Sequence, residues 1–287
     1  MQAWTNATEG ERARERPTSS DSGVLRPEQL AAFTSLQRHE CMGPLGNWVE
    51  NFWTLSWDLP EGKSFLSNTA PHPACTLSIE RGNTRPEVHD PVVLTGIVTQ
   101  RFEVELRGHG RVVAAKFRPG GLAALTGMSA HSWTDRTLPA KDQLPADLVT
   151  KLMQIDEPMS TEVAVNQLHE ALSRLPHGED PRYDQLLTII ADILSERSLV
   201  QVSQLENRYG LSARALQRLF ERYVGVGPKW VLARYRLHDA MSLLDAGYQG
   251  SLADLATSLG WYDQAHFSRD FTALVGESPA RYRIRER

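Results

Sequence analysis

The sequence is poor in cysteine and contains no long apolar run. Cys41 and Cys75 are its two cysteines among 287 residues, too few for a disulfide framework or a four-thiolate zinc site. No apolar stretch approaches the roughly 18 residues of a membrane-spanning helix, and the N-terminus lacks the apolar segment of a signal peptide. We therefore expect a cytoplasmic protein without a membrane partner, whose cysteines are buried or half-buried apolar residues.

Lysine is almost missing from the C-terminal third, where Lys229 is the only one after residue 181. Residues 181–287 have 14 basic and 12 acidic side chains, whereas residues 1–180 have 17 and 23. The net charge of -4 therefore conceals a basic surplus in the C-terminal third, and that surplus is arginine. Arginine's planar guanidinium suits phosphate and guanine, so the positions of these arginines matter more than their number.

The residue pattern along the chain predicts an α+β protein in four parts. Residues 1–23 are polar and aperiodic, which indicates a disordered arm. Residues 24–145 carry short runs rich in β-branched and aromatic residues, which predict a β-rich sensor or regulatory domain of barrel or cupin-like form with flanking helices. Residues 146–180 predict a helical connector that ends in the linker "PHGEDP". Residues 181–287 predict an all-α domain.

A helix-turn-helix pattern stands near the start of the all-α domain. A short helix containing Leu205 runs into Gly210, and Ser212 follows in position to cap the next helix. In that helix Leu216, Leu219, Phe220 and Tyr223 share the inward face. We expect a long helix to begin at Pro228 and to close at Gly247.

The pattern R-x-F-x-x-x-V-G-x-x-P occurs twice, at residues 218–228 and 269–279. The second copy also has Leu255 five residues before Gly260, as Leu205 stands before Gly210, with one extra residue before Arg269. This agreement indicates an internal duplication. We expect two helix-turn-helix units joined by a helix of about 17 residues, which at 1.5 Å per residue spans roughly 25 Å.

These residues resemble the AraC/XylS family of transcription regulators over about residues 183–285. The resemblance is carried by "GLSxRxLxRxFxxxVGxxP" at 210–228, "YRLHDAMSLL" at 235–244 and "FxxxVGESPARYR" at 271–283. It implies a tandem helix-turn-helix reader of promoter DNA behind a variable sensor or dimerisation domain. It also implies double-stranded promoter DNA as the partner and a nucleoid-associated location.

The resemblance, carried over position by position, implies the DNA-binding candidates, and their chemistry agrees with that role. Arginine can bind guanine, glutamine adenine, and serine either a base or a phosphate. The candidates for base contact are Arg214, Gln217 and Arg218 in the first unit, and Gln264, His266, Ser268 and Arg269 in the second. The candidates for phosphate contact are Ser212, Arg222, Lys229, Arg281, Arg283 and Arg285.

Each of these candidates has a structural alternative. Arg218 and Arg269 stand beside inward phenylalanines, so either could pair with a nearby acid as a brace. Arg214, Gln217 and His266 could be ordinary solvated residues of a helix. Glu206 departs from the family pattern, because Ala256 takes the equivalent place in the second unit; a carboxylate at a helix crossing is expected to cost stability or to widen the packing angle.

The N-terminal domain resembles one found on a subset of these regulators, through "WVENFWTLSW" (48–57), "FRPGGLAALTG" (117–127) and "DRTLPAKDQL" (135–144). Alternating aromatics on a strand are usually core residues. They could also line an effector pocket, for which the candidates are Trp48, Phe52, Trp53 and Trp57. The helices that follow could form a dimer contact or cover the sheet.

Two classes of function fit the sequence. The first is a DNA-binding transcription regulator without catalysis, cofactor or metal, controlled by a small-molecule effector or by homodimerisation, with RNA polymerase as a further candidate partner. The second is an enzyme, either a metal-dependent cupin or a DNA alkylation-repair regulator. His72, His89 and His109 suggest the cupin, but they lack the close spacing of a metal site, and two cysteines do not supply the zinc cluster of a repair protein.

Overall fold

The computed structural model describes residues 24–25, 30–82, 85, 88–176 and 178–285. The arm predicted for residues 1–23 therefore lies outside the described residues. The backbone of Arg285 is described as part of the last helix, but its side chain is not.

The N-terminal region is built from antiparallel strands in two sheets. One sheet has the order β2-β3-β8-β5-β6-β9 and the other the order β1-β4-β7. The strands are β1 Val24–Leu25, β2 Thr34–Glu40, β3 Val49–Asp58, β4 Ser64–Thr69, β5 Thr76–Gly82, β6 Val92–Thr95, β7 Phe102–Arg107, β8 His109–Phe117 and β9 Thr137–Pro139.

The six-stranded sheet is covered on both faces. One face presents Trp57, Val112 and Ala114 to Leu106 of the three-stranded sheet. The opposite face belongs to the main hydrophobic core of the protein. Within the described residues no pairing joins β2 to β9, so the sheet stays open. The predicted β-rich region is confirmed, but it is an open two-sheet structure and not a closed barrel.

Every helix after the sheets lies where the sequence predicts helical structure. The α-helices are α1 Gly121–Thr126, α2 Ala146–Met153, α3 Thr161–Ser173, α4 Pro181–Ser195, α5 Val202–Tyr209, α6 Ala213–Tyr223, α7 Pro228–Asp245, α8 Leu252–Ser258, α9 Gln264–Val275 and α10 Pro279–Arg285. Short 3₁₀ helices occupy Pro44–Asn47, Ala130–Trp133 and Ala140–Asp142.

The main core does not divide at residue 181. A single cluster of buried side chains contains Phe52 of the sheet, Leu168 of α3, Leu186 of α4 and Phe220 of α6. Helix α3 thus covers the sheet, which is the second of the two roles that its sequence allowed. The domain boundaries predicted at residues 146 and 181 stay a prediction.

A second core holds the C-terminal helices together. It contains Leu244 of α7, Leu255 of α8, and Phe267 and Phe271 of α9. Ala70 from the β4–β5 loop belongs to the same cluster, so the N-terminal region also touches the last helices.

Helix α7 makes polar contacts with the N-terminal loops. Nε2 of His238 lies 3.0 Å from the carbonyl oxygen of Pro71, and the His238 ring lies 4.5 Å from the His72 ring, centroid to centroid. Nη2 of Arg234 donates to the carbonyl oxygen of Thr99 at 3.0 Å. Burial lowers the pKa of His238 to about 4. Burial, the adjacent His238 and nearby cations hold the pKa of His72 well below 6.5, so both imidazoles are neutral.

This neutral histidine pair makes stability depend on pH. An unfolded histidine titrates near its ordinary pKa of 6.5, whereas folded His238 titrates near about 4, so the unfolded state binds more protons between these values. The free energy of unfolding therefore falls as pH is lowered from about 6.5 to 4, by at most about 1.4 kcal/mol per pH unit for each histidine. His238→Gln, which keeps an N–H donor for Pro71 but cannot titrate, is expected to reduce this slope.

Urea unfolding of full-length protein between about pH 7 and pH 5 measures the effect. His131→Gln is the control, because His131 is exposed and lies in a short 3₁₀ helix outside the contact between α7 and the Pro71 carbonyl. An unchanged slope in His238→Gln would contradict the burial of a neutral imidazole at this contact.

Candidate nucleic-acid interface

Two helix-turn-helix units are present at the predicted places. In the first, α5 ends at Gly210, whose φ of 63° is left-handed, and the Ser212 hydroxyl accepts from the Ala215 N–H at 3.3 Å to cap α6. In the second, α8 leads to Gly260 with φ 81°, and Asp263 caps α9 by accepting from the His266 N–H at 2.7 Å. The units therefore share one local construction.

The structure locates the extra residue of the second unit. Six positions separate the cap Ser212 from Arg218, and six separate the cap Asp263 from Arg269. The insertion must therefore lie between the turn glycine and the cap. Leu211 packs against the first core and Trp261 packs in the second, so Tyr262 is the additional residue, and its side chain is 92% exposed.

The outward face of α6 carries the three predicted base-contact residues of the first unit. Leu216, Leu219, Phe220 and Tyr223 are buried on the inner face, as predicted. Arg214, Gln217 and Arg218 are exposed. Gln217 donates to the Glu221 carboxylate at 2.8 Å. Among the described residues neither arginine has an ion-pair or hydrogen-bond partner, so the brace alternative has no support at Arg218.

The outward face of α9 differs from the predicted set. Arg269 is exposed and has no partner within the described part of the chain. Counting from the caps, Ala265, Ser268, Arg269 and Thr272 take the places of Arg214, Gln217, Arg218 and Glu221. Ala265 and Thr272 are exposed and were missed, although their spacing of four and three residues from Arg269 was readable.

Two other predicted residues of α9 lie beside this outward face. Gln264 is exposed at the first position of the helix. His266 lies with Nε2 3.3 Å from an Asp270 carboxylate oxygen. The same oxygen accepts from the Trp261 indole at 2.9 Å. His266 thus contacts Asp270 of its own helix, which favours an ordinary structural role for His266 over a base contact.

The phosphate candidates fall into two groups. Lys229 is exposed, and Arg281 is exposed with its Nε 3.7 Å from a Glu277 carboxylate oxygen. Ser212 is occupied as a helix cap. Arg283 donates to the carbonyl oxygen of Gly250 at 3.0 Å. Lys229 and Arg281 are therefore the cations of this set best placed for a phosphate.

Arg222 has a different role from the predicted one. Its guanidinium donates to the carbonyl oxygens of Gly127 and Met128, just beyond the C-terminal end of α1. A cation there also complements the helix dipole. The Thr134 hydroxyl donates to the carbonyl oxygen of Gly225 at 2.7 Å. The end of α6 is thus fastened to the N-terminal region, and Arg222 is not free to bind a phosphate in this arrangement.

Glu206 has a hydrogen-bond partner that the expected cost did not take into account. Its carboxylate accepts from the Ala213 N–H at 2.7 Å, at the start of α6 where backbone N–H groups lack partners within the helix. A negative charge is favoured there by the helix dipole. With Ser212, Glu206 forms a second cap, and this contact favours a stabilising role for Glu206 over the expected penalty.

A cavity of about 250 Å³ lies between the two sheets. Its apolar walls include Leu36, Trp53, Leu55, Trp57, Val104 and Leu106. Trp48 and Phe52 lie in the main core instead, so their prediction as pocket residues was wrong. Side chains alternate along a strand, so the neighbours Phe52 and Trp53 face opposite sides of β3, and Trp48 precedes that strand.

The cavity also has a polar region that sequence reasoning missed. Lys116 pairs with buried Glu50 at 3.0 Å, and Arg85 pairs with Glu80 at 2.5 Å. Arg38 lines the cavity without an ion pair or hydrogen bond to any described residue. His72 also lines it and carries the contact through to His238 of α7.

The described residues give little support to a metal site, a reactive thiol or a membrane-spanning helix. These contain no group of three or more His, Cys, Asp and Glu that could hold a metal ion, and His109 lies 3.1 Å from a Glu157 carboxylate oxygen. Burial raises the pKa of Cys41 to about 11 and that of Cys75 to about 12, which disfavours a thiolate nucleophile. None of the described helices is long and apolar enough to span a membrane.

The second cap gives a prediction about stability. Glu206→Ala is expected to lower the free energy of unfolding by about 0.5–2 kcal/mol, because the Ala213 N–H loses its acceptor. Glu206→Gln, which keeps an oxygen acceptor without the charge, is expected to lose less. Urea unfolding measures both variants, and a stabilised Glu206→Ala would restore the idea of a strained carboxylate.

Comparison with known proteins agrees with the C-terminal architecture. A family model described as "Helix-turn-helix domain" matches residues 205–285, and one described as "Domain of unknown function (DUF6597)" matches residues 37–139. The chain is 32% identical over 147 residues to the HTH-type transcriptional activator RhaS of Escherichia fergusonii, covering 47% of this chain and 52% of RhaS. It is 28% identical over 147 residues to the probable transcriptional regulator LumQ of Photobacterium leiognathi, covering 50% of this chain and 59% of LumQ.

Among solved structures, ToxT from Vibrio cholerae aligns with 12% sequence identity and a TM-score of 0.39, over 81% of this chain and 98% of ToxT. The chain spans between half and three fifths of the length of RhaS and LumQ. The matching family model covers both observed units, from α5 to α10. The C-terminal part of this chain is therefore similar to a helix-turn-helix domain over residues 205–285.

Proposed function

We propose that the protein is a sequence-specific DNA-binding regulator of transcription. The observation that carries the proposal is the pair of exposed recognition faces, each with an arginine that has no partner among the described residues, Arg218 and Arg269 at equivalent positions. An arginine that braces the fold would have a carboxylate partner. These two are presented to solvent on helices of the type that enter the major groove.

The distance between the units fits one face of a duplex. Helix α7 has 18 residues, so it is about 27 Å long at 1.5 Å per residue. With the width of the units themselves, this separation approaches the roughly 34 Å between successive major-groove segments. Both recognition helices can therefore lie in adjacent turns of the same groove.

Base readout in the first unit follows from the side chains on its outward face. Arg214 and Arg218 can each donate two hydrogen bonds to the O6 and N7 of guanine, and Gln217 can bind adenine. Lys229 and Arg281 lie outside the recognition helices and would neutralise phosphates. Base contacts decide specificity, whereas phosphate contacts add affinity for any sequence.

Single substitutions test the base-reading role. Arg214→Ala or Arg269→Ala is expected to weaken binding to the cognate site by about 1–3 kcal/mol for each lost base contact, with little change on random DNA. Salt-titrated gel shifts on both DNAs measure this. Arg107→Ala is the control, because Arg107 lies in β7 and pairs with Glu105. Equal losses on specific and random DNA would overturn the assignment.

We further propose that the protein acts by binding and not by catalysis, and that the cavity between the sheets takes its effector. His72 lines this cavity and packs on His238 of α7, while the nearby Ala70 belongs to the second core. A ligand that moves the segment from Ala70 to His72 would therefore change the setting of α7. Since α7 joins both units, DNA affinity would change as well.

The cavity lining favours a small apolar molecule with one acidic group. Its 250 Å³ exceeds the roughly 150 Å³ that holds benzene, so it has room for a substituted ring. The tryptophan side chains Trp53 and Trp57 would contact the ring, and Arg38 is the cation without a carboxylate of its own among the described residues. An aryl carboxylate satisfies both requirements.

Tryptophan fluorescence tests this ligand class with 4-phenylbutyrate and its amide as probes. We expect the carboxylate to bind more tightly, and Arg38→Gln to reduce its affinity roughly tenfold, which corresponds to about 1.4 kcal/mol, without changing that of the amide. Equal binding of the two probes by the wild-type protein would contradict an acidic ligand.

Two further partners belong to the same proposal. RNA polymerase is the protein that a promoter-bound regulator would meet, and a second copy of the chain would make a homodimer with two sets of recognition helices. Binding to promoter DNA, alone or with either partner, would place the protein on the nucleoid in the cytoplasm. Helices α2 and α3, the candidate dimer contact, bury one apolar side in the main core, with Leu152 and Leu168, whereas Met153 and Val163 are exposed.

A further inference from the structure

The two recognition faces differ in chemistry. Successive side chains on a helix turn by about 100°, and the positions counted from the cap therefore point in matching directions in the two units. The first unit presents Arg214, Gln217 and Arg218 on its outward face. The second presents Ala265, Ser268 and Arg269 in their places. A charged group and an amide in the first unit are thus replaced by a methyl and a hydroxyl.

Tyr262 adds an aromatic ring to the second face. It is the inserted residue, two positions before α9 begins, and it is 92% exposed. No hydrogen bond, ion pair or ring contact involves Tyr262 in the described part of the chain. Nothing in the described fold requires a large apolar ring at this position.

The backbone around Tyr262 is nevertheless held firmly on both sides. Trp261 is buried, its ring lies 4.9 Å from that of Phe267, and its indole N–H donates to Asp270. Asp263 caps α9 through the His266 N–H. The Tyr262 ring is therefore presented from a fixed turn at the N-terminal end of the recognition helix. In helix-turn-helix proteins this end of the helix approaches the base edges.

We propose that the second unit reads thymine through apolar contact of Tyr262 and Ala265 with 5-methyl groups in the major groove, whereas the first unit reads purines. Thymine is the base that presents a methyl group in this groove, and small apolar or aromatic side chains contact it. Arg269 remains available for a neighbouring guanine. The inference rests on the proposed DNA-binding function.

Deoxyuridine substitution isolates the methyl group. Full-length protein is first used to select binding sites from a random DNA library. Each thymine of the selected site is then replaced by deoxyuridine, which keeps the base pair and removes only the 5-methyl group. We expect a loss of roughly 3- to 10-fold in wild-type affinity at one or two thymines, confined to the half-site of the second unit.

Three variants complete the test. Tyr262→Ala is expected to bind the thymine site 3- to 10-fold more weakly than wild type, roughly the value of one methyl contact, and to be insensitive to deoxyuridine at one of these positions. Tyr262→Phe is expected to retain both affinity and sensitivity. Arg214→Ala is the matched control; it weakens the other half-site and retains the deoxyuridine effect. Urea unfolding of Tyr262→Ala should match wild type, because the ring is exposed.

Two results would overturn the inference. One is a Tyr262→Ala variant with wild-type affinity and deoxyuridine sensitivity. The other is an equal loss in Tyr262→Ala and Tyr262→Phe on every sequence, which would make the hydroxyl a phosphate ligand. Selection of no sequence by the wild-type protein would instead refute the proposed function itself, so the two failures are distinguishable.

Discussion

Helix α7 is packed on almost all of its sides, and the arrangement of the molecule depends on that packing. Val231, Leu232 and Tyr235 belong to the core shared by the first unit and the N-terminal region. One to two turns later, Leu237, Met241 and Leu244 belong to the core of the second unit. A single helix therefore packs against both units and the N-terminal region, and its length separates α6 from α9.

The contacts of α7 differ in whether their buried polar groups all have hydrogen-bond partners. The two helical cores are apolar, whereas the contact with the N-terminal loops is polar and incomplete. Arg234 is buried, stacks on Trp230 at 4.5 Å from the ring centroid, and donates to Thr99, but its Nε and Nη1 have no partner among the described residues. Burial lowers its pKa to about 10. Unsatisfied buried donors cost free energy, so these two nitrogens weaken the contact.

Much of the C-terminal architecture could be predicted from the sequence, because the local backbone conformation requires the residue types found in the motif. Gly225 and Gly276 adopt φ of 94° and 86°, a region that suits glycine, and Pro228 occupies the first turn of α7. The outward residues of α6 followed from periodicity alone. The same periodicity gave Phe220 and Phe271 their buried positions.

The errors arose where the answer lay in another part of the fold. Arg222 resembled a phosphate ligand until α1 supplied its carbonyl acceptors, and Glu206 resembled a strained carboxylate until α6 supplied a donor. The four pocket candidates could not share one cavity, because the neighbours Phe52 and Trp53 face opposite sides of β3 and Trp48 precedes that strand. In α9 the position of the insertion decided which residues share a face with Arg269, and only the cap at Asp263 located it.

The hydrogen bonds from Arg222 to the carbonyl oxygens that follow α1 limit how parts of this protein can be exchanged. Since the last turn of α6 is seated on the residues around Gly127 and Thr134, the C-terminal helical part is not a freely exchangeable module. A chimera that joined residues 181–285 to a foreign N-terminal domain would leave Tyr223 without its contact at Gly120 and Gly225 without its contact at Thr134. An exchange that keeps the fold would therefore have to carry the 120–134 segment together with the helices that it supports.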